Sequence, residues 1–475
     1  MMRRDLPLSD ILVELERDNM LPALVFRTSR SQCDSDAMRI ASNERLHIPA
    51  EQQRVLRTHV HEIAAKYDMD LELIRTNPQY QGLLLTGVGA HHAGQLLTWR
   101  LLLEELMAAG LLRVMVATGT VAAGVDFPAR TVVITAHSRR GAEGFTTLSA
   151  AEFQQMSGRA GRRGRDTVGF CVVAPNPFCD ARQLLKVAKR KPEPLSSAYF
   201  PSPSTVLNLL RYRNVDDLRY TVERSLAAFI DRRRGLELAQ EAAEIEELLA
   251  DETVHEREQK RLGKRARRLK RQAQEAGTQQ LQLLDAALEG LRDLGYLEGD
   301  TLSEKGYWAA NLCTSLVLEL GETIEDGIFD GRSAEDLAAL VASIAGDSYR
   351  TYLKTKKPVL TEEDVEKINS VLQKIGSSGM PGVLEDKQVL QSAAYTVTTW
   401  MQAENWQEFR GLLLLSGVAE GDAARLITQT ADHLNQLTRL METHRDLAFR
   451  AEEAKRRILR PPLTEAMNVE SIEGR

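Results

Sequence analysis

The sequence predicts an α/β domain built on a parallel sheet, followed by a winged-helix region and an all-α helical bundle. Short apolar runs alternate with helix-forming stretches over residues 1–190, as they do in a doubly wound parallel sheet. A helix, a tight turn and a second helix follow one another within residues 191–330, which is the pattern of a winged helix. Capped helices fill residues 331–475. With 475 residues, the chain is long enough for three such parts.

The first domain contains the strand signals. Apolar runs bounded by polar or turn-forming residues have the composition of buried parallel strands. Such runs cover residues 23–26, 114–117, 131–135 and 169–174. The stretches 50–67 and 96–109 have the pattern of helices. Arg27 and Thr28 follow the first run directly, at the end of a strand where parallel sheets gather their ligands.

The most informative stretch is the run Gln-Met-Ser-Gly-Arg-Ala-Gly-Arg-Arg-Gly at residues 155–164. Ser149 and Glu152 have the spacing of a capping box, which predicts a helix from about Ala150 with Gln155, Arg159 and Arg162 on adjoining turns. Arginine forks beside glycines suit a polyphosphate and the charge of its transition state. The alternative is an arginine-rich helix facing solvent.

This run resembles motif VI of superfamily 2 helicases in the superkiller-type form, the exosome-associated RNA helicases. The resemblance implies that the first domain is the second RecA-like lobe of a helicase. It also implies that Gln155, Arg159 and Arg162 complete an ATP site between two such lobes, with Arg162 as the arginine finger. The C-terminal region is similar to the DSHCT region of that family.

Further stretches of the first domain extend the resemblance. The turn after residue 117, rich in glycine and threonine, can cradle a phosphate with its backbone N–H groups and hydroxyls. It resembles motif V, which implies that Thr118 and Thr120 contact the nucleic-acid strand. Gly124 and Asp126 would bind nucleotide, and Asp126 would contact its ribose. The region of residues 23–28 is similar to motif IV, and Arg27 and Thr28 are accordingly expected to contact the strand.

Two adjacent histidines lie among glycines at residues 87–94. A metal site would need further ligands, and no Cys, His or carboxylate has the required spacing, so we predict no metal site. The stretch is similar to the segment between motifs IV and V of the helicase family. That similarity implies that His92 and Gly94 contact the nucleic-acid strand.

The sequence contains neither a G-x-x-x-x-G-K-[ST] phosphate loop nor an acidic magnesium-binding motif. We therefore expect ATP and Mg²⁺ to be held mainly by a first RecA-like lobe, supplied in cis or in trans. The chain is not expected to hydrolyse ATP by itself.

In the middle region, residues 236–276 have the pattern of one polar helix with an acidic first half and a basic second half. A solvated helix and a nucleic-acid arm are both compatible with this pattern. Residues 281–306 then have the winged-helix pattern. Its helices could bind nucleic acid, but packing on the sheet domain is the favoured interpretation.

In the C-terminal region, Ser333 and Thr361 are predicted helix caps, and Trp400 and Trp406 are predicted core or interface aromatics. A long helix is expected over residues 422–460. Its start resembles the family's ratchet helix, which lies along the threaded strand. The resemblance implies that Arg425 contacts backbone phosphates, although a solvent-facing arginine fits the pattern equally well.

Composition sets looser bounds. The net charge is −6, so any surface that binds nucleic acid must be a local one. No apolar run approaches the roughly eighteen residues of a membrane helix, and we expect a cytoplasmic protein without a membrane partner. The cysteines lack metal-ligand spacing and are interpreted as buried, reduced thiols: Cys33, Cys171, Cys179 and Cys313.

Together, the sequence predicts the C-terminal half of an ATP-dependent helicase that acts on a single strand. RNA is the preferred substrate, and DNA is the runner-up because residues 122–126 also resemble the DNA-unwinding branch of the family. A third hypothesis is a non-catalytic scaffold that binds nucleic acid or protein and has lost its ATPase lobe. The complete set of motif VI arginines argues against that scaffold.

Overall fold

The computed structural model describes residues 6–122, 129–141, 144–162, 164, 166–174, 179–249 and 256–464. Its centre is a parallel sheet with the strand order β2-β3-β1-β4-β7. The strands are β1 (Ala23–Arg27), β2 (Val88–His91), β3 (Val114–Thr118), β4 (Thr131–Ile134) and β7 (Phe170–Val173). The predicted parallel α/β sheet is thus confirmed, although β2 was not predicted because glycine and histidine dilute its apolar pattern.

Successive residues of the central strands point to opposite faces of the sheet, and both faces are covered. Leu24 and Phe26 belong to one apolar cluster, whereas Ala23 and Val25 belong to a second cluster on the other face. Val25 lies beside Val116 and Val133 in the register. Burial on both faces explains why these strands are continuous apolar runs.

Helices surround the sheet. They are α1 (Leu8–Arg17), α2 (Arg30–Ala41), α3 (Ala50–Lys66), α4 (Leu71–Arg75), α5 (Tyr80–Thr86), α6 (Leu97–Ala108), α7 (Ala150–Ser157) and α8 (Ala181–Ala188). The helices predicted at 50–67 and 96–109 correspond to α3 and α6. An antiparallel hairpin of β5 (Ser138–Gly141) and β6 (Gly144–Thr147), which the sequence pattern did not reveal, lies between β4 and α7.

The single polar helix predicted over residues 236–276 is wrong. Two helices pack against each other instead, α11 (Leu226–Leu249) and α12 (Glu256–Asp293). Glu241 pairs with Arg265, and Glu246 accepts from Lys270 at 2.7 Å, so the acidic stretch neutralises the basic one. Ala242, Ile245, Ala266 and Leu269 form a small apolar cluster between them. The charge reversal along the sequence is therefore the signal of a helical hairpin.

The rest of the middle region is short elements around the base of α12. These are α9 (Pro203–Leu210), α10 (Val215–Glu223), β8 (Leu297–Glu298), β9 (Thr301–Leu302), α13 (Glu304–Ala309) and α14 (Val317–Glu325). Strands β8 and β9 pair as an antiparallel hairpin. Ser303 caps α13, since its hydroxyl accepts from the Gly306 N–H at 3.0 Å.

The C-terminal region is helical. Its helices are α15 (Ala334–Ala345), α16 (Glu362–Gly376), α17 (Gln391–Gln402), α18 (Trp406–Leu415), α19 (Glu420–Leu437) and α20 (Arg445–Ile458). The predicted caps are confirmed, because Ser333 and Thr361 accept from the N–H groups of Asp336 and Asp364, each at 3.1 Å. The unbroken helix predicted over 422–460 is wrong: the chain turns at residues 438–444, which lets Leu447 and Ala451 fold back into the same core as Leu434.

One apolar core runs from Val206 in α9 to Leu463 beyond α20, and it also takes in Leu73 and Leu96 of the sheet domain. The middle and C-terminal regions therefore pack as one body against the sheet domain. Trp400 and Trp406 are buried with ring centroids 5.0 Å apart, which confirms their interpretation as core aromatics. In the described part of the chain, no helix is long and apolar enough to span a bilayer.

Candidate nucleotide and nucleic-acid site

Helix α7 begins as the sequence predicts. Ser149 Oγ accepts from the Glu152 N–H at 3.1 Å, and a Glu152 carboxylate oxygen accepts from the Ser149 N–H at 2.9 Å, which completes the capping box. The helix ends at Ser157, however, with Gly158 as its C-cap. Gln155 is therefore on its last turn and faces solvent, but Arg159 and Arg162 are not on adjoining helical turns. That part of the prediction is wrong.

Beyond the helix, the chain lies beside the residues that lead into strand β4. Ala160 forms a parallel bridge with Ala129, and the Gly161 N–H donates to the Ala129 carbonyl at 2.8 Å. Gly161 has φ +92°, a value that L side chains rarely adopt. The chain leaves the helix and pairs with the sheet here, because the glycines at 158 and 161 allow it to change direction. The arginine segment is consequently fixed to the sheet.

Arg162 is fixed by Asp166. Its Nε lies 2.8 Å from Oδ2, its Nη2 lies 2.9 Å from Oδ1, and its backbone N–H also donates to Oδ2 at 2.9 Å. The Arg162 side chain is 20% exposed, whereas that of Asp166 is 4% exposed. The hydrogen bonds from Arg162 hold the pKa of the Asp166 carboxyl below its ordinary value. The pair fixes the plane of the guanidinium at the edge of the sheet.

A cavity of about 440 Å³ opens at the carboxyl ends of β1, β3 and β4. Four residues predicted from the sequence line it together: Arg27, Thr28, Thr118 and Gln155. Arg139 and Glu152, which form an ion pair at 2.5 Å, belong to the same wall and were not predicted. Polar groups from separate strands thus meet at one end of the parallel sheet, which is the usual position of a ligand site.

The strand-end groups are partly held by the protein itself. Arg27 Nε donates to Asp36 of α2 at 2.6 Å, and Thr28 Oγ1 donates to Gln32 at 2.9 Å. Arg159 is half-buried next to the helix cap. The side chain of Thr120 and the residues Gly124 and Asp126 lie outside the described residues. Their predicted roles, like all predicted strand and nucleotide contacts, remain predictions.

The two histidines point to different carboxylates. His91 Nε2 lies 2.6 Å from Glu104, and His92 Nε2 lies 2.9 Å from Asp34. The Gly94 N–H donates to His92 Nδ1 at 3.1 Å, which places the His92 proton on Nε2. His92 is only 3% exposed, so its imidazole holds the loop, and a direct contact with a strand would require the Asp34 interaction to open. The described residues contain no group of three ligands that could hold a metal.

A second cavity of about 480 Å³ separates the start of α6 from α19. Arg425 is exposed on its α19 side, and Gln95, Thr98 and Arg100 line the other side. The Gly421 N–H donates to the Gly94 carbonyl at 3.0 Å, so the loop with His92 and Gly94 adjoins Arg425. Burial lowers the pKa of the Arg100 guanidinium, and the Arg30 charge acts in the same direction. Asp432 also lines the cavity, but the two arginines outnumber it, and we call this cavity the basic groove.

Two domain families match this chain. Residues 85–164 match the helicase conserved C-terminal domain, and residues 299–466 match the DSHCT (NUC185) domain. The chain is 33% identical over 221 residues to the probable helicase HelY of Mycobacterium tuberculosis, an alignment covering 46% of this chain and 24% of that protein.

Two further relatives are named as RNA helicases. The chloroplastic DExH-box ATP-dependent RNA helicase DExH15 of Arabidopsis thaliana is 33% identical over 271 residues, covering 52% of this chain and 22% of the relative. The exosome RNA helicase MTR4 of Homo sapiens is 31% identical over 214 residues, covering 44% of this chain and 20% of that protein. These alignments span less than a quarter of each relative's length.

The sheet, the motif VI segment and both domain matches define a helicase C-terminal region of superfamily 2. More narrowly, the chain corresponds to the C-terminal part of the superkiller-type helicases, the group that contains the exosome-associated RNA helicases.

Proposed function

We propose that this chain is the C-terminal part of an ATP-dependent RNA helicase and that it supplies the second RecA-like lobe, an arginine finger and a strand-contacting surface. The observation that carries the proposal is the cavity at the carboxyl ends of β1, β3 and β4, where Gln155 of α7 meets Arg27, Thr28 and Thr118. Residues far apart in sequence converge there, next to a segment with the motif VI spacing.

The residues present fit one side of an ATP site. Arg162 presents a guanidinium whose plane is fixed by Asp166, which suits a finger that must meet phosphate charge without reorganising. Gln155 and Arg159 would adjoin the same nucleotide, and Gly124 and Asp126 would contact its ribose side. Hydrolysis of ATP, bound with Mg²⁺, would supply the energy for movement along the strand. The β and γ phosphates would be held by a first lobe in cis or in trans.

The strand would pass along the basic groove. Arg425 and Arg100 provide positive charge on its two sides, and Thr98 and Gln95 provide polar groups that can bond phosphates. Gly94 would approach the strand through its backbone, with His92 holding the loop from behind. Two relatives bear the name RNA helicase, which supports RNA over DNA.

We also propose a winged-helix arrangement for the middle region. Support comes from the order of α12, the hairpin β8–β9 and α13, together with the Ser303 cap between hairpin and helix. Its helices share the large apolar core with the C-terminal bundle, which favours a packing role over a nucleic-acid role. The helical hairpin α11–α12 would project from this part.

The test is reconstitution. The purified chain is mixed with a first RecA-like lobe that carries the phosphate loop, and ATP hydrolysis is measured with single-stranded RNA, single-stranded DNA or neither. We expect hydrolysis only from the mixture, with greater stimulation by RNA. Greater stimulation by DNA would support the DNA-unwinding alternative. If the mixture binds nucleic acid but never hydrolyses ATP, the scaffold hypothesis is right and the helicase proposal is wrong.

A further inference from the structure

The first turn of α19 makes a joint between the bundle and the sheet domain. Gly421 and Asp422 each contact a segment of the sheet domain directly, and Glu420 reaches a third segment through Arg410. We call these three residues the docking turn. The sequence did not single out any of the three as a functional residue, because the contacts of Gly421 and Asp422 with the sheet domain join positions more than 300 residues apart.

Asp422 is the centre of a buried ion cluster. Its Oδ2 accepts from Arg30 Nη1 at 2.8 Å, and its Oδ1 accepts from Arg350. Arg350 is held in turn by Asp347, whose Oδ2 lies 3.0 Å from its Nε. Asp422 is only 8% exposed. Arg30 opens α2 and follows Thr28 by two residues, so Asp422 reaches the loop that lines the cavity at the carboxyl ends of β1, β3 and β4.

Glu420 acts through a buried arginine. Its Oε1 lies 2.9 Å from Arg410 Nε, and its Oε2 accepts from Trp406 Nε1 at 3.0 Å. Arg410, 4% exposed, donates from Nη1 to the Leu73 carbonyl at 3.1 Å and to Thr76 Oγ1 at 2.9 Å. Glu420 and Arg410 thereby connect α18 and α19 with α4 of the sheet domain.

Gly421 brings the backbone of α19 against the backbone of the sheet domain. Its N–H, one of those that a helix start leaves without an intrahelical acceptor, donates to the Gly94 carbonyl at 3.0 Å. A Cβ at position 421 would overlap the Ala93 carbonyl oxygen and lie 2.7 Å from that of Gln95. Only glycine allows this approach. The loop that adjoins the proposed strand is thus in direct contact with the backbone of α19.

We infer that the docking turn positions Arg425 for the strand, with Asp422 as the positioning residue that ties the loop after β1 to the basic groove. Arg425 follows Gly421 by four residues and Asp422 by three, so it lies one helical turn beyond them on α19. Fixing the first turn therefore fixes the side of the groove from which Arg425 emerges. Buried ion pairs contribute little net stability but strongly constrain geometry, which suits a joint of this kind.

This inference rests on the proposed function, since it assumes that a strand occupies the basic groove. The experiment uses the chain alone and the anisotropy of a short fluorescein-labelled oligouridylate. Arg425→Ala is expected to weaken binding roughly fivefold and to lower the salt slope by about one. Asp422→Asn and Gly421→Ala should weaken binding by a similar factor, because both displace the helix start.

Non-additivity separates positioning from general stability. In the Asp422→Asn background, the further change Arg425→Ala should weaken binding by less than about twofold, since Arg425 no longer reaches the strand. If Asp422 only stabilised the fold, Arg425→Ala would weaken binding in the double variant by the same fivefold factor as in the unmodified chain. Asp300→Asn is the matched control: it removes the partner of Arg292 in an exposed surface pair and should leave binding unchanged.

Arg30→Gln protects the test against misfolding, because its side chain is 35% exposed and its loss leaves Asp422 paired with Arg350. In the Arg30→Gln background too, Arg425→Ala should weaken oligouridylate binding by less than about twofold. The inference is overturned if the double variants show additive losses, or if Arg425→Ala binds as tightly as the unmodified chain. ATP hydrolysis by the reconstituted mixture tests the proposed function separately. If the mixture hydrolyses ATP but the double variants show additive losses of binding, the role of the docking turn is refuted and the helicase proposal stands.

Discussion

Arg162 and Asp166 form a two-pronged ion pair, with Nε to Oδ2 at 2.8 Å and Nη2 to Oδ1 at 2.9 Å. Arg130 approaches the same carboxylate, its Nε lying 4.0 Å from Oδ1. The pair lies just past the segment that bridges to Ala129, so the sheet fixes both its position and its plane. A guanidinium held in this way is already oriented in the chain by itself.

The first prediction concerns this pair in the reconstituted enzyme. Arg162→Ala should lower RNA-stimulated ATP hydrolysis by about a thousandfold, the order expected for loss of an arginine finger. Arg162→Lys should not restore it, because an ammonium cannot reproduce the fork. Arg292→Ala, which removes an arginine paired with an exposed aspartate, should leave the rate unchanged. A rate within a few-fold of the unmodified chain for Arg162→Ala would refute the finger assignment.

The second prediction concerns the pH dependence of stability. Because Arg162 lowers the pKa of Asp166 in the folded chain, the pair contributes stability at pH values above the unfolded pKa of about 4. That contribution is lost as the pH falls towards the depressed folded pKa. Asp166→Asn should therefore lower the free energy of unfolding at pH 7, and its difference from the unmodified chain should shrink below about pH 4.

Denaturant titrations of both chains between neutral and acidic pH measure this difference. The comparison cancels the many other carboxylates, which titrate equally in the two chains. A difference that stays constant down to the lowest pH would show that Asp166 is not stabilised by charge.

The third prediction concerns the hairpin of α11 and α12. A Cβ at Gly235 would lie 2.8 Å from the Ala273 carbonyl oxygen, so Gly235→Ala should push the helices apart and cost about 1–3 kcal/mol. Gly277 on α12 has open space around it, and Gly277→Ala should instead stabilise the helix by about 0.5–1 kcal/mol.

Hydrogen exchange of the hairpin amides measures both effects. Opposite signs for the two substitutions are expected, because the two glycines differ in what lies next to them rather than in helix propensity. Equal stabilisation by both would mean that the two helices do not approach closely at Gly235.

The fourth prediction concerns the cysteines. All four are free, but only Cys33 and Cys179 are buried, so the interpretation of Cys171 and Cys313 as buried thiols is wrong. Burial raises the pKa of the Cys33 thiol to about 12, which leaves almost no thiolate at pH 8. A thiol reagent should label Cys313 first and Cys171 more slowly, because the thiol of the otherwise exposed Cys171 is partly buried and its pKa is raised. Cys33 should react only after unfolding, and rapid labelling of the native chain at Cys33 would contradict the buried position.

Local patterns predicted local features correctly. The capping box at Ser149, the caps at Ser333 and Thr361, and the apolar runs of β1, β3 and β4 all depend on residues within a few positions of one another. The predicted helix bounds were wrong where a helical sequence pattern continued across a point at which the helix ends. Residues 236–276 and 422–460 remain polar or amphipathic throughout, and only packing against other helices decides where each turns.

The candidate site divides in the same way. Motif spacing and strand ends are short-range properties, so the sequence alone was enough to predict which segments would carry nucleotide and strand chemistry. The apolar runs also predicted the parallel sheet, because only burial on two faces explains them. Only the tertiary structure decided that Asp166 holds Arg162, that Asp34 holds His92, and that Asp422 joins Arg30 to the helix of Arg425. Two of these pairs, His92–Asp34 and Arg30–Asp422, join residues 58 and 392 positions apart, which only the packing of whole elements brings together. Arg162 and Asp166 are four residues apart, but they lie beyond the end of α7, so no helical periodicity revealed the pair.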